Sequence, residues 1–361
     1  MLPRKKRPFV KFALLFLCGV VVYNEWFVYM LSAWTWPKMD CGDMKEFYKV
    51  LLVADPQILG ENSEPWIARW DNDRYLFKTF SSAFHHVKPN IIIFLGDLMD
   101  EGSTASPDQY DRYMERFAHI FSLKSIPSNM TIFLPGDNDI GGEDEQVTRF
   151  KVDRFNSHFN QPSIFTLDNI EFIKVNKLQH EFPRYHRLSD DKIRILLSHI
   201  PLLGLPSGFS AEAVVKLRPH MIFSAHDHKS VHFAGDMSTG ERTLVEPLSF
   251  NYWSDSWPTT WRYQLTTHLV NEVVVPTCSY RMGTLSMGYG AAVIDKKGDT
   301  LCYSVLVLPS RFHLIFLYIL AISIISIVIF FNFCFSVCCL CCSRLSYENS
   351  RLMTSRSQLK V

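Results

Sequence analysis

The sequence predicts an α/β domain held between two membrane-spanning helices. Two long apolar runs lie near the ends of the 361-residue chain, strands alternate with amphipathic helices between them, and strands dominate beyond residue 230. Alternation followed by mostly strands predicts a mixed sheet or a pair of packed sheets with helices outside. We expect one domain, at residues 37–310.

The composition excludes two classes of protein. Lys and Arg number 37 and Asp and Glu 36, which leaves a formal net charge of +1. The chain therefore lacks the overall positive field on which nucleic-acid binding relies, and we expect no nucleic-acid partner. Hydrophobic residues at 47% and charged residues at 20% also exclude a disordered chain.

The first apolar run, residues 9–36, is long enough to cross a hydrocarbon core. It follows a basic segment, residues 1–8, as a signal peptide would, so cleavage is the alternative to a signal anchor. Aromatic residues crowd its far end, which is typical of an interfacial belt and favours the anchor. Asn24 and Glu25 lie inside the run, where polar groups are expected to face a partner or an interface.

The second apolar run, residues 311–335, is almost uniformly hydrophobic, and basic residues follow it in the tail at 336–361. Because positive residues flank the outer end of each run, both termini are predicted to be cytoplasmic and the middle lumenal or extracellular. The sequon Asn129-Met130-Thr131 lies in the portion predicted to be lumenal.

The nine cysteines fit the same partition. In an oxidising lumen Cys278 and Cys302 are expected to pair, which leaves Cys41 alone. Four more cysteines follow the second run, where S-palmitoylation and ordinary apolar residues at a helix end are equally weighted alternatives. They are Cys338, Cys339, Cys341 and Cys342.

The middle of the chain contains a regular series of predicted strands and helices. Buried-strand runs end at Asp55, Asp97 and Asp137, and predicted helices over 64–87, 108–121 and 145–159 follow them. Further strands are predicted at 164–167, 170–175, 193–198 and 221–224.

Polar residues recur at the carboxyl ends of five of these strands, where α/β folds place their sites. Each fragment alone is weak, because a strand-end Asp is often a turn or cap residue. Five in order predict a ligand set for a pair of divalent cations, which activate water and stabilise phosphate oxygens during in-line displacement. The fragments are Asp55-Pro56-Gln57, Gly96-Asp97, Gly136-Asp137-Asn138-Asp139, His199 with Pro201, and His226-Asp227-His228.

The order of these fragments resembles the calcineurin-like metallophosphoesterase superfamily. Within it the chain is most similar to the membrane-tethered branch that includes metallophosphoesterase one and the yeast cell-division-control-protein-one-like proteins. The stretches GDLMDEG, PGDNDIG and NEWFVY and the terminal hairpin topology carry this likeness along nearly the whole chain. The resemblance implies a four-layer α/β/β/α sandwich.

The resemblance also implies roles for the strand-end residues. Asp97 would bridge two cations, Asp55 and His228 would hold one, and Asp137, His199 and His226 the other. We expect Mn²⁺, with Zn²⁺ or Fe²⁺ as alternatives. The residues expected to take part in catalysis are Asp97, Asn138 and His199.

Four positions depart from the family pattern. Gln57 stands where many relatives have a His ligand, so it is expected to coordinate more weakly through its amide oxygen. Asp137 replaces the usual Asn, and Ala225 replaces a Gly. Asn138 replaces the His that in relatives contacts the phosphate and helps to protonate the leaving oxygen, and an amide cannot act as a general acid.

Other residues have both a functional and a structural interpretation. Arg281 is a candidate phosphate contact, with a structural ion pair as the alternative. An aromatic segment is predicted to face a glycan or membrane, or equally to pack in the core; it comprises Phe250, Tyr252, Trp253, Trp257 and Trp261. Five histidines are candidate substitute acids but are more simply surface or capping residues; they are His158, His180, His186, His232 and His268.

The branch is known for removing a side-chain ethanolamine-phosphate from a mannose of glycosylphosphatidylinositol (GPI) anchors, which promotes export of anchored proteins from the endoplasmic reticulum. The resemblance thus implies a lumenal phosphodiesterase of the early secretory pathway, from the endoplasmic reticulum and its exit sites through the intermediate compartment to the cis-Golgi. GPI-anchored proteins or the glycolipid would be substrates, and cargo-export machinery a partner. The alternatives are a catalytically weak sorting factor and a phosphatase for phosphoproteins or lipid pyrophosphates.

Overall fold

The structure, a computed structural model, describes residues 7–42, 44–184, 192–249, 259–265, 268–297 and 300–358. The side chains of 7–9, 336 and 339–358 lie outside this description. The chain divides into two units, one made of residues 1–27 with 311–361 and the other of residues 28–310.

The helices are α1 (Arg7–Val22), α2 (Val28–Thr35), α3 (Trp66–Val87), α4 (Pro107–Ile120), α5 (Asp137–Ile140), α6 (Arg149–His158), α7 (Gly208–Leu217) and α8 (Arg311–Gln358). The strands are β1 (Phe47–Val53), β2 (Ile91–Phe94), β3 (Thr131–Phe133), β4 (Ile164–Leu167), β5 (Ile170–Lys174), β6 (Ile193–Leu197), β7 (Met221–Ser224), β8 (Val231–Asp236), β9 (Arg242–Pro247), β10 (Thr260–Gln264), β11 (Leu269–Val274), β12 (Gly288–Asp295) and β13 (Thr300–Val307).

Two helical stretches are long and apolar enough to cross a membrane by length and composition. One is Val10–Thr35, with a mean hydropathy of 1.7, and the other is Arg311–Phe335, with a mean hydropathy of 3.0. In the first unit, the buried Asn24 donates its side-chain amide to the Leu314 carbonyl at 2.7 Å. Glu25 accepts a hydrogen bond from the Tyr318 hydroxyl at 2.7 Å. Asn24 and Glu25 therefore both have partners within this unit, as the sequence predicts.

Two mixed sheets form the centre of the second unit. Their strand orders are β10-β13-β12-β1-β2-β3 and β4-β5-β6-β7-β11-β8-β9. Within the first sheet β1, β2 and β3 are parallel, and within the second β5, β6, β7 and β11 are parallel. The parallel strands carry nearly continuous apolar runs, because both of their faces are covered.

The alternation of side chains along β1 shows how the layers pack. Val50 and Leu52 lie in an apolar core shared with the second sheet, whereas Leu51 and Val53 lie in a core shared with α3 and α4. On the far side of the second sheet, Leu196 lies in a core shared with α7. Helices, sheet, sheet and helix thus follow in order, so a pair of packed sheets is the architecture that forms.

The predicted disulfide is wrong. Cys302 on β13 is bonded to Cys41, with their Cα atoms 5.9 Å apart, while Cys278 is a free, buried thiol. Cys278 lies in the core beneath α3, and Cys41 and Cys302 lie in a separate small cluster with Val293. The predicted partners therefore belong to different apolar clusters, which cysteine spacing along a chain does not reveal.

Candidate metal centre

The carboxyl ends of five strands meet at one place and carry the predicted ligands. Asp55 follows β1, Asp97 follows β2 and Asp137 follows β3, and these strands are parallel neighbours in the first sheet. In the second sheet His199 follows β6, and the segment with His226 and His228 follows the parallel β7. Because parallel strands end at the same edge, the side chains converge.

The six side chains form two groups, each with a geometry that could hold a metal ion. Within each group the ligand atoms lie within 4.8 Å of one another. The groups touch, since His199 Nε2 lies 3.0 Å from Asp137 Oδ1 and 3.4 Å from Asp97 Oδ1. The first group is Asp55, Asp97 and His228, and the second is Asp137, His199 and His226.

The state of Asp55 tests whether cations fit this place. Asp55 is fully buried, and its Oδ2 has no hydrogen-bond partner. Burial raises the pKa of Asp55 to about 8 and also raises the pKa of Asp97. A buried carboxylate with an unpartnered oxygen is costly unless a cation or proton neutralises it, so the donor set suits divalent cations.

The imidazole of His199 links the two groups. Burial alone would lower the pKa of His199. The carboxylates of Asp97 and Asp137 have a larger and opposite effect, and they raise this pKa to about 10. Burial acts to raise the pKa of Asp137, yet hydrogen bonds to His199 and His226 bring it well below its usual range. In the metal-free protein, protons thus supply the positive charge that this cluster of carboxylates requires.

The backbone fixes the direction of His199. Its Nδ1 lies 2.8 Å from the carbonyl oxygen of Leu95, and a carbonyl can only accept, so Nδ1 is the donor. Nε2 is then directed at Asp97 and Asp137 with its lone pair free for a cation once the ring is neutral. A second hydrogen bond of this kind is the usual way in which proteins orient a ligating histidine.

Five of the site residues have left-handed backbone conformations, which are uncommon outside glycine. The φ angles are +46° at Asp55, +39° at Gln57, +50° at Asp97, +72° at His226 and +59° at His228. Strained backbone of this kind persists only where the surrounding structure enforces it, and it concentrates at functional sites.

Two glycines allow the close approach of these loops. Gly96 has a φ of +100°, and a Cβ there would lie 2.6 Å from His199 Nδ1. A Cβ on Gly136 would lie 2.1 Å from Asp97 Oδ1. Side chains at either position would displace a candidate ligand, which explains why both turns carry glycine.

Asp139 belongs to one of the five predicted fragments but to neither metal group, and its role in the structure is to support the loops. Its buried carboxylate accepts backbone hydrogen bonds from Leu98, Met99 and Gly136 at 2.9–3.1 Å. It therefore ties the loop after β2 to the loop after β3. The available signal was its place three residues after Gly136, where a carboxylate can cap the short helix α5.

The two amide residues both contact the carboxylate of Asp97. Gln57 Nε2 donates to Asp97 Oδ2 at 2.9 Å, and Asn138 Nδ2 donates to the same oxygen at 2.8 Å. The Asn138 backbone N–H also donates to Asp97 Oδ1, at 2.9 Å. Gln57 thus presents its amide nitrogen to Asp97, and coordination of a cation through its amide oxygen stays a prediction.

The remaining predicted residues lie apart from the two groups. Arg281 forms an ion pair with Glu64, which is the structural alternative, so a phosphate contact stays a prediction. His158 pairs with Asp111, His180 packs on Phe209 and His232 contacts Asn271. In the aromatic segment, Trp261 is half-buried on β10; His186, Phe250, Tyr252, Trp253 and Trp257 lie outside the described residues.

A cavity of about 260 Å³ adjoins the site. His199 borders it, Phe133, Phe155 and Phe159 form an apolar wall, and amide side chains and Lys174 line the rest. Aromatic surface combined with a few polar groups is typical of small-molecule sites. The cavity therefore offers room beside the candidate cations for part of a substrate.

Residues 48–230, half of the chain, match the calcineurin-like phosphoesterase family. Metallophosphoesterase 1 of Gallus gallus is 30% identical over 192 residues, 50% of this chain and 48% of that protein. Metallophosphoesterase 1 of Rattus norvegicus is 25% identical over 184 residues, 49% of this chain and 46% of that protein. The chain thus spans about half the length of the curated relatives it matches.

Among solved structures, a metallophosphoesterase from Sphaerobacter thermophilus is 10% identical and has a TM-score of 0.39, over 74% of this chain and 90% of that one. The family match includes all six residues of the two candidate metal groups, from Asp55 to His228. The chain belongs to the calcineurin-like phosphoesterase family.

Proposed function

We propose that the protein is a metal-dependent phosphoric ester hydrolase, and specifically a phosphodiesterase. The observation that carries this proposal is the pair of contiguous Asp/His groups at the strand ends, with a fully buried, unpartnered Asp55 oxygen inside. Family membership supports the same reaction class.

Asp97 would be shared between two divalent cations, with Asp55 and His228 on one and Asp137, His199 and His226 on the other. When bound, such cations activate a water and stabilise the phosphate oxygens. Mn²⁺ is the proposed metal, and the mixed oxygen and nitrogen donors also suit Zn²⁺ or Fe²⁺. The Leu95 carbonyl holds His199 in the ligating orientation, and Asp139 holds the two loops together.

The proposed substrate is the ethanolamine-phosphate on a mannose of GPI anchors. The resemblance to the membrane-tethered branch supports it, whereas the relatives named metallophosphoesterase 1 support the phosphoesterase reaction class. The cavity of about 260 Å³ that His199 borders is large enough for a sugar ring. The expected consequence is faster export of GPI-anchored proteins from the endoplasmic reticulum, with the cargo-export machinery as a partner.

The proposed topology places both termini in the cytoplasm and residues 37–310 in the lumen of the early secretory pathway. Two helices long enough to span a bilayer support it. The Cys41–Cys302 disulfide suits an oxidising compartment. Asn129, the acceptor of the sequon, is exposed on a short turn before β3, where a glycan would be accommodated.

A second function, that of a catalytically weak GPI-cargo sorting factor, is favoured by one observation. Gln57 and Asn138 both direct amide hydrogens at Oδ2 of Asp97, the carboxylate that would be shared between the cations. Neither side chain is able to protonate a leaving oxygen. A protein of this kind would hold anchored cargo but turn over phosphodiesters slowly.

Substitution of Asp97 tests the metal-dependent hydrolase against the sorting factor. We expect Asp97→Asn to lose metal and to abolish Mn²⁺-dependent hydrolysis of bis-nitrophenyl phosphate by the full chain. The exposed Asp153→Asn, on α6, is the matched control and keeps both. Full activity and metal content in Asp97→Asn would refute the assignment. An inactive wild-type protein that still captures GPI-anchored cargo would favour the sorting factor.

Mass spectrometry of GPI glycans tests the substrate. Cells without the protein should retain the ethanolamine-phosphate, and wild type but not Asp97→Asn should remove it. An unchanged glycan pattern alongside active hydrolysis of bis-nitrophenyl phosphate would keep the reaction class and exclude this substrate. Profiling with phosphopeptides and lipid pyrophosphates would then test the phosphatase alternative.

A further inference from the structure

An exposed apolar patch lies on the first two turns of α3. Trp66, Ile67 and Trp70 are 70%, 56% and 54% exposed. Residues three and four positions apart share one side of a helix, and Trp70 is three positions after Ile67 and four after Trp66. The three side chains therefore form a single surface, the α3 patch. The opposite side of α3 is buried in the core through residues such as Leu76 and Phe80. Two neighbouring exposed tryptophans are unusual on a surface that faces only water.

The packing of α3 against α2 tells which way this patch points. Tyr29 on α2 contacts the ring of Tyr75 and the ammonium group of Lys78 on α3, at 6.2 and 5.4 Å from its centroid. Just after the end of α2, Trp36 contacts His86 near the end of α3, with their ring centroids 5.3 Å apart. The chain thus meets later residues of α3 as it passes along α2 and beyond, so the two helices run in the same direction.

That direction carries the patch toward the membrane side of the domain. α2 is the last part of the candidate span Val10–Thr35 and leads the chain away from the proposed bilayer. At a rise of about 1.5 Å per residue, Trp70 and Trp66 precede Tyr75 along α3 by ~7 and ~13 Å. The Tyr75 hydroxyl also donates to the carbonyl of Pro309, just before the second candidate span begins.

The chemistry of the patch suits a lipid headgroup region. Tryptophan concentrates at membrane interfaces, and long basic side chains reach from apolar surface to the headgroups. The Arg74 guanidinium lies over the Trp70 ring at 4.7 Å, and Arg69 is within 3.6 Å of Glu61. We propose that the α3 patch inserts into the interface of the bilayer that α2 leaves. This proposal rests on the proposed membrane topology.

The patch is joined to the candidate metal centre through one loop. The backbone N–H groups of Asn62 and Ser63, just before α3, donate to the carboxylate of Glu101 at 3.0 and 2.7 Å. Glu101 lies in the loop that begins at Asp97. Anchoring α3 in lipid would therefore hold the metal centre at a fixed height and orientation over a lipid-anchored phosphodiester.

Spin labels on the full chain in phosphatidylcholine vesicles test the insertion. Nitroxides would be attached to Ile67→Cys and Trp70→Cys, with Phe150→Cys on α6, which is 61% exposed, as the control. The background replaces Cys18, Cys334, Cys338, Cys339, Cys341 and Cys342 by serine.

We expect the ratio of collisions with oxygen to collisions with a nickel chelate to be several-fold higher at 67 and 70 than at 150. An equal, aqueous ratio at all three positions would overturn the proposal. Low collision rates with both reagents at 67 and 70 would indicate a protein partner and would also overturn it.

A kinetic comparison tests the consequence for the site. Trp66→Ser/Trp70→Ser should hydrolyse soluble bis-nitrophenyl phosphate at the wild-type rate but hydrolyse palmityl nitrophenyl phosphate in the same vesicles roughly tenfold more slowly, because orientation over the surface is lost. Phe150→Ser should leave both rates unchanged. Equal losses on both substrates would show a folding role and overturn the proposal. If the wild type hydrolyses neither diester, the proposed phosphodiesterase activity is wrong. The spin-label experiment then still tests whether the α3 patch inserts into the bilayer.

Discussion

Asn138 is the residue at which this chain departs furthest from the pattern it resembles. Its amide contacts Asp97 at the centre of the candidate site, at a position where the family resemblance implies a histidine able to donate a proton. A well-placed general acid accelerates a reaction by roughly 10²–10⁴-fold, and the gain depends on how badly the leaving group needs the proton.

Restoring that histidine gives a selective prediction. We expect Asn138→His to raise kcat on glycerophosphoethanolamine, which has an alkyl leaving group, by roughly 10²-fold. On bis-nitrophenyl phosphate the change should be small, because nitrophenolate departs without a proton. Steady-state kinetics of the full chain measures both, and Asn138→Gln, which keeps the amide, is the control. Equal acceleration of both substrates would contradict a general-acid role for this position.

The protonation of Asp55 predicts a pH dependence of metal binding. Burial raises the pKa of this carboxyl to about 8, so the metal-free protein holds a proton there at neutral pH that a cation must displace. As pH rises toward 8 less proton is displaced, and affinity increases. His199, whose pKa is about 10, must release a second proton before it can bind the cation. Calorimetric titration with Mn²⁺ should therefore give a dissociation constant roughly a hundredfold lower at pH 7.5 than at pH 6.5, with proton release. A pH-independent constant would contradict this prediction.

At this scale the sequence revealed the residue types but not their contacts. Asp55, Asp97, Asp137, His199, His226 and His228 were predictable because each follows a recognisable buried strand. The amide orientation of Gln57 was not, because it depends on Asp97 and His228, which are distant in sequence. Nor was the clamp formed by Asp139, since its three donors belong to two different loops.

At the scale of elements, the turn after β3 is a place where backbone packing directly determines the geometry of the site. Gly136 approaches the backbone N of Asp97 so closely that a Cβ would lie 2.3 Å from it. The turn after β2 contacts the turn after β3 at this point. The close contact involves backbone, which cannot move aside as the end of a flexible side chain can. The backbone approach of these two elements therefore sets the position of Asp97.

We expect Gly136→Ala to displace Asp97, to lower the metal content of the purified protein, and to reduce the free energy of unfolding by about 2 kcal/mol. Gly208→Ala is the matched control, because a Cβ on Gly208 meets no atom within 4 Å. Elemental analysis and denaturant titration of the two variants measure these effects. Full metal occupancy in Gly136→Ala would show that the turn tolerates a side chain.

Most elements were predictable because their patterns are strong and local. The strands at 164–167 and 221–224 form as predicted, and the helix predicted over 64–87 begins two residues later, at Trp66. The pairing of strands was not predictable. β11 lies between β7 and β8, and β12 lies beside β1, so partners distant in sequence decide both sheets.

At the scale of the whole molecule, the Cys41–Cys302 disulfide connects the start of the α/β domain to its last strand, β13. Its cysteines are 261 residues apart, so the bond restricts nearly the entire unfolded domain. The disulfide can form because the first and last parts of the domain lie at the same sheet.

Removal of the disulfide should lower the stability of the domain markedly. We expect Cys41→Ser/Cys302→Ser to reduce the free energy of unfolding by about 2–5 kcal/mol and to lower Tm. Thermal denaturation followed by intrinsic fluorescence measures the change, with the exposed Cys334→Ser as the control. Reductant should bring the wild type to the Tm of the double variant. A double variant as stable as the control would mean that the bond is dispensable.

The strand order of the first sheet also has a consequence during synthesis. β1 pairs with β12, which begins at Gly288, about 235 residues after β1 ends at Val53. At roughly 5–20 residues per second, translation takes ~12–47 s to deliver that partner. For this interval one edge of β1 offers unsatisfied backbone groups to other chains, so a nascent polypeptide stalled before Gly288 is a natural client for chaperones.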